Sequence, residues 1–209
     1  MKEEIVINQN RIIIVGTVHA HQESITLVRN TIQDVHPDQV AVELDAQGLE
    51  ALESGYSPVK ITDYVPLLKK GFRTAIILYL ISYSNQKKAQ KVGVPLMFDM
   101  LEAVKTAREL GIPVALIDTA HPECDLPFSE FVKLTLFLIK NSMREITTDE
   151  ESLKKFGKDV HKAAPSLSVI GDRDEVMVRN ILGLSGTTVV VTGMGHVKNI
   201  KRLLMSSGH

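Results

Sequence analysis

Two kinds of apolar spacing alternate along this chain. Short unbroken runs rich in Val and Ile are separated by stretches in which apolar residues recur every three or four positions. Unbroken runs suit strands buried on both faces, and the wider spacing suits amphipathic helices. Ile5-Val6-Ile7 and Arg11 to Val15, joined through Asn8-Gln9-Asn10, read as a hairpin opening the sheet. Ile25, Val28, Ile32 and Val35 mark a helix over 22 to 35, which Pro37 and Asp38 end, and 39 to 44 is the next strand. Leu49 and Leu52 suggest a short helix after it.

Residues 61 to 91 suit one long helix or two, with Gly71 a plausible break. Thr74 to Ser84 is apolar nearly all round, which predicts burial in the domain or against a partner copy. Leu101, Val104, Ala107 and Leu110 mark a helix capped by Gly111, followed by a strand over 113 to 117. Residues 128 to 139 and 169 to 182 read as helices, and 147 to 164 as a charged surface helix or excursion. A last strand over 187 to 192 and a helix over 195 to 204 follow. This alternation predicts an α/β fold: a mostly parallel central sheet, helices on both faces and an N-terminal hairpin. With no Gly/Ser linker and no repeat, residues 1 to 209 read as one domain.

Composition narrows the partners. With 24 basic against 25 acidic residues the net charge is -1, so no overall field favours nucleic acid or an anionic membrane. Lys87, Lys88 and Lys91 read as a solvated helix face. Cys124 is the sole cysteine, which rules out an intrachain disulfide and a Cys-rich zinc site and is compatible with a reducing compartment. The longest apolar run, 75 to 81, falls far short of the ~20 residues that span a bilayer. No signal peptide is expected, and the chain reads as soluble and cytoplasmic.

Candidate chemistry gathers where strands end. Gly16-Thr17-Val18-His19 follows Ile12-Ile13-Ile14-Val15, and Gly193-Met194-Gly195-His196 follows Val189-Val190-Val191-Thr192. Each is a buried strand, a turn begun by glycine, and a histidine three residues on. Parallel sheets bind ligands beyond the carboxyl ends of their strands, so His19 and His196 are expected to meet there. His21 is a further candidate, and His121 a weaker one. Glu43 ends the strand of Val40-Ala41-Val42, on the Ala41 side. A buried charge there needs a cation, a metal or an edge open to water. Asp118 ends the next core strand, as a site residue or a turn acid. Asp99 and Asp172 open helices, where an acid also suits the helix dipole. Arg173 suits a bidentate carboxylate pair or an ordinary surface ion pair. Two histidines and one carboxylate with open positions form an adequate hydrolytic centre for Mn, Co or Zn. Gly193-Met194-Gly195 offers backbone amides to an anion. No His-Glu-x-x-His, Walker, dinucleotide or Gly-x-Ser-x-Gly motif is present.

Four motifs in order, Gly16-Thr17-Val18-His19, Val42-Glu43-Leu44-Asp45, Asp172-Arg173-Asp174-x-x-Met177 and Val191-Thr192-Gly193-Met194-Gly195-His196, resemble the TraB/PrgY pheromone-shutdown family. That family is related to the Tiki and GumN proteins and distantly to the erythromycin esterase and ChaN-like fold. The likeness runs from about Arg11 to about Leu204. It implies a site built from the two Gly-x-x-His motifs, and a metal-dependent peptidase acting on a peptide signal. It makes His19 and His196 metal ligands or bases, Glu43 a ligand or general base, and Arg173 the group that orients a carboxylate or substrate.

Relatives tend to carry an arginine shortly after the Glu-Leu pair, where this chain has Asp45-Ala46-Gln47-Gly48. They often carry glutamate at the positions of Asp99 and Asp172, and many have C-terminal membrane spans that this chain lacks. The leading expectation is a metal-dependent peptidase. A non-catalytic module holding a peptide or haem-like ligand in the same cleft is the alternative that the missing arginine and the shortened acids favour. An oligomeric scaffold assembled through 74 to 84 is the third.

Overall fold

The Val- and Ile-rich runs pair into a single sheet of five strands: β1 (Lys2–Ile7), β2 (Asn10–Thr17), β3 (Gln39–Val42), β4 (Val114–Leu116) and β5 (Thr187–Gly193). The computed structural model describes residues 1–18, 21–55, 60–65, 68, 71–92, 97–119, 126–142, 155, 158–159, 162–165 and 169–207. The described helices are α1 (Gln22–Val35), α2 (Ala46–Glu53), α3 (Phe72–Val92), α4 (Phe98–Glu109), α5 (Phe128–Ser142), α6 (Val169–Leu182) and α7 (Met194–Ser207), with a 3₁₀ turn at Ile61–Tyr64. The strand order is β1-β2-β5-β3-β4. Only the β1–β2 hairpin is antiparallel. Asn8 and Gln9 both hold positive φ, the backbone of a two-residue turn whose twist matches its strands.

The chain divides into two compact units. The first comprises Met1–Tyr56, Val92–Ala120 and Ile170–His209 and holds the whole sheet. One sheet face buries Ile13, Val15, Val40, Val42, Val189 and Val191 against Val28 and Ile32 of α1 and Met100, Ala103, Val104 and Ala107 of α4. The other buries Ile12, Ile14, Ala41 and Val190 against Met177, Val178 and Ile181 of α6 and Val197, Ile200 and Leu204 of α7. Strands covered on both sides have no polar face, which is why their sequence shows runs rather than alternation.

The parallel register places four strand ends at one edge. Thr17 pairs with Gly193, Val42 with Val191, and Val42 with Leu116. The third strand is shorter than the apolar run suggests. It ends at Val42, because the Leu44 amide turns back to the Val42 carbonyl at 2.7 Å.

The second unit comprises Ser57–Lys91 and His121–Val169. Its core joins Ile77 of α3 to Leu126, Leu134, Leu138 and Ala164. Residues 72 to 92 form one helix, and Gly71, with φ of 155°, stands where the chain breaks before it. Within the segment 74 to 84 Ala75 and Ile77 are buried in this chain, while Tyr83 is exposed on it and stacks on Tyr79. Tyrosine tolerates this because its hydroxyl prefers water. Most of 147 to 164 lies outside the described residues. Among the described residues no helix is long and apolar enough to cross a membrane.

Candidate functional site

Three strand ends and two helix starts deliver a charged cluster to the carboxyl edge of the sheet. Glu43 follows β3 directly, its amide held by the Val191 carbonyl at 3.0 Å. Asp118 follows β4, its amide reaching the Leu44 carbonyl at 3.3 Å. Thr192 and Gly193 end β5, and His196 lies in the first turn of α7. Arg173 and Asp174 lie in the first half of α6. Backbone bonds past the strand ends fix the acidic residues where loop residues would drift.

Glu43 is the centre. Its Oε2 accepts the Thr192 hydroxyl at 2.6 Å and the Gly193 amide at 2.7 Å. Its Oε1 faces Arg173 Nη2 at 3.0 Å and His196 Nε2 at 3.2 Å. The same Arg173 Nη2 donates to Asp118 Oδ2, while Arg173 Nε donates to Asp118 Oδ1 at 3.1 Å. The other imidazole nitrogen, His196 Nδ1, lies 2.5 Å from Asp174 Oδ1. Asn199 Nδ2 donates to Asp174 Oδ2 at 2.6 Å, and Arg202 holds Asn199 Oδ1 from the surface.

Burial sharpens these interactions. The Glu43, Asp118, Arg173 and His196 side chains are 6%, 10%, 16% and 11% exposed, and that of Asp174 is fully buried. Desolvation pushes the Glu43 carboxyl up, but the charge of His196, the Thr192 and Gly193 donors and Arg173 outweigh it and hold it below the ordinary range. Desolvation pulls His196 down, but its bond to Asp174 and the charges of Glu43 and Asp174 overcome this and raise it. Burial likewise opposes the Arg173 charge, and Asp118 and Glu43 restore it. The cluster thus sets the acidic side chains of Glu43, Asp118 and Asp174 against Arg173 and His196.

Several alternatives left open by the sequence are now decided. Glu43 is not a strand-end acid in water; Arg173, His196, Thr192 and Gly193 surround it. Arg173 is no surface pair, because β3 and β4 bring two carboxylates to it. Asp118 both binds its neighbour's amide, at Thr119, and holds Arg173. The Gly193 amide does meet an anion, the chain's own Glu43. Gly16 is a packing position: a Cβ there would lie 2.6 Å from Val197 Cγ2. His21 precedes α1, its ring 3.9 Å from Glu23, and Asp99 is buried in α4 of the opposite layer. His19, His121 and the Asp172 side chain lie outside what is described, and with them the expected meeting of His19 and His196. Among the described residues no three His, Cys, Asp or Glu side chains are grouped to hold a metal ion.

Sequence reasoning assigns no site role to Asp174, though it stands in the Asp172-Arg173-Asp174 motif, and none to Asn199. Asp174 does carry a signal: Met177, Val178 and Ile181 lie three, four and seven residues on, so it shares the buried face of its helix. Asn199 carries none, since its role depends on α6 standing beside α7.

No family model matches the chain. It is similar to an uncharacterized protein of Methanocaldococcus jannaschii, 29% identical over 217 residues, an alignment covering 95% of this chain and 54% of the relative. The chain thus spans about half the length of that relative.

Proposed function

We propose that this chain is a metal-dependent hydrolase that cleaves an amide bond, with a peptide as substrate. The observation that carries the reading is the pair His196 Nε2 and Glu43 Oε1, 3.2 Å apart, with Asp174 on the far nitrogen of the ring. Two donors at about 2.0–2.2 Å from a shared ion, at roughly a right angle or slightly more, are separated by about this distance. A carboxylate on the opposite imidazole nitrogen is the usual partner of a ligating histidine, because it fixes tautomer and ring orientation. The reading takes His196 and Glu43 as ligands and His19, one residue past Val18, as the third. Manganese, cobalt and zinc suit imidazole with carboxylate.

When bound, the ion supplies Lewis acidity, which acidifies water and polarises a carbonyl. The chain's own residues do the rest. Asp174 keeps the Nδ1 proton on His196 and frees Nε2. Arg173 holds Glu43 ionised and aligned. The peptide class is carried over from the TraB/PrgY resemblance, and Cys124 as sole cysteine agrees with work in a reducing cytoplasm.

The test uses protein purified without chelator. Its metal content is measured, and it is loaded with Mn, Co or Zn and incubated with a peptide library read by mass spectrometry. Metal-dependent cleavage that is lost in His196→Ala is expected; no cleavage with any of the ions overturns the hydrolase reading. A second reading is favoured by one observation: both Glu43 oxygens are already held by the chain, Oε2 by Thr192 and Gly193 and Oε1 by Arg173. That closure suits a non-catalytic module for a peptide or haem-like ligand, which would bind and be recovered unchanged.

A further inference from the structure

We propose that helix α5 is an interfacial anchor that lies on an anionic lipid bilayer, held there by an exposed apolar stripe and a basic flank. The inference concerns the second unit alone and stands apart from the hydrolase reading. The fold uses only part of the apolar surface of α5. Leu134 and Leu138 are buried in the core of that unit, with Phe131 and Phe137 packed against it. Phe128, Val132, Leu136 and Ile139 are left 68%, 37%, 63% and 55% exposed. Steps of four, four and three residues set these side chains along one stripe of the helix. Lys133 and Lys140, both exposed, run along one side of it.

Charge argues for what covers the stripe. The net charge of -1 averages two unlike units. The second holds fourteen lysines and arginines against nine acidic residues, and the first holds ten against sixteen. Eight of the twelve exposed large apolar side chains among the described residues also belong to the second unit. Apolar surface and positive charge are concentrated together, which is the pairing that binds anionic lipid. A second copy fits worse. The stripe offers about 400 Å² of side chain, enough to mark an interaction site, but half of the ~800 Å² per partner that a stable protein interface buries. A two-fold antiparallel pairing would also set the lysine flank against its own copy. A bilayer needs no matching surface. At fifteen residues α5 is too short to span one. It would lie in the plane of the interface, its stripe about 5–10 Å deep and its lysines among the headgroups.

The test is vesicle binding by the full chain. Co-sedimentation compares pure phosphatidylcholine vesicles with vesicles that are about one-third phosphatidylserine. Wild type is expected to bind the anionic vesicles at least about tenfold more tightly, and to come off as salt rises. Leu136→Gln/Ile139→Gln and Lys133→Glu/Lys140→Glu are each expected to weaken that binding by about tenfold or more. Circular dichroism confirms that each variant is folded. The chain has no tryptophan, so Leu136→Trp carries a single indole, whose emission is expected to shift to the blue on anionic vesicles. Val6→Trp, at an exposed position of the first unit, is expected not to shift. No binding by wild type, an unshifted Leu136→Trp, or full binding by a folded Leu136→Gln/Ile139→Gln overturns the proposal. So does a mass in light scattering that doubles with concentration and is reset to monomer by Leu136→Gln/Ile139→Gln, since the stripe then belongs to a second copy.

Discussion

His196 Nδ1 lies 2.5 Å from Asp174 Oδ1, and that contact decides which imidazole nitrogen faces the site. With Asp174 fully buried and its second oxygen held by Asn199, the carboxylate has one orientation. Asp174→Asn turns an acceptor-only partner into one able to donate, and so permits the wrong tautomer. On the proposed function it should weaken Mn(II) or Zn(II) binding by about 10–100-fold. Calorimetry reads the affinity, and imidazole nitrogen NMR reads the tautomer.

Stability of the metal-free protein should fall at both ends of the pH range. His196 is raised from its ordinary 6.5, so its contribution is full below that value and lost as pH climbs through the folded-state value. Glu43 is lowered from its ordinary 4.5, so its contribution is present above that value and lost as pH drops through the folded-state value. The most stable window therefore lies between these two ordinary values. Urea midpoints in chelator, taken from about pH 4 to pH 9, should show the alkaline loss in wild type and a flatter alkaline limb in His196→Gln.

Glu43→Gln should destabilise the protein more than its near-identical shape suggests. The amide cannot accept from all of Thr192, Gly193, Arg173 and His196, and its NH₂ must point at donors. Arg173 keeps Asp118 and His196 keeps Asp174, so the loss is that of buried groups left partly unsatisfied, about 1–3 kcal/mol. Chemical denaturation of variant and wild type near neutral pH measures it.

Gly16→Ala tests the seat of α7. The new Cβ would fall 2.6 Å from Val197 Cγ2 and 3.4 Å from Met194 Cα. Val197 is fully buried and β-branched, so its methyl has nowhere to turn. Overpacking of this kind costs about 1–3 kcal/mol. A lower urea midpoint with unchanged slope is expected. On the proposed function, because α7 carries His196, metal affinity should fall as well.

The elements of this protein were legible in its sequence because their signals are local. Ile12 to Val15 and Val189 to Val191 announce two-sided burial, and the spacing of Ile25, Val28 and Ile32 announces a helix, without knowledge of any neighbour. The alternation along β3 put Glu43 on the Ala41 face, where α6 and α7 pack. Which charges meet was another matter. Asp172, Arg173 and Asp174 are adjacent in the chain, yet the buried helix face sends Asp174 to His196 while Arg173 crosses to Glu43 and Asp118. That choice follows from the order β1-β2-β5-β3-β4, which sets β3 between β5 and β4. Strand order arises from long-range pairing between segments that share no local pattern, so only the folded chain decides it.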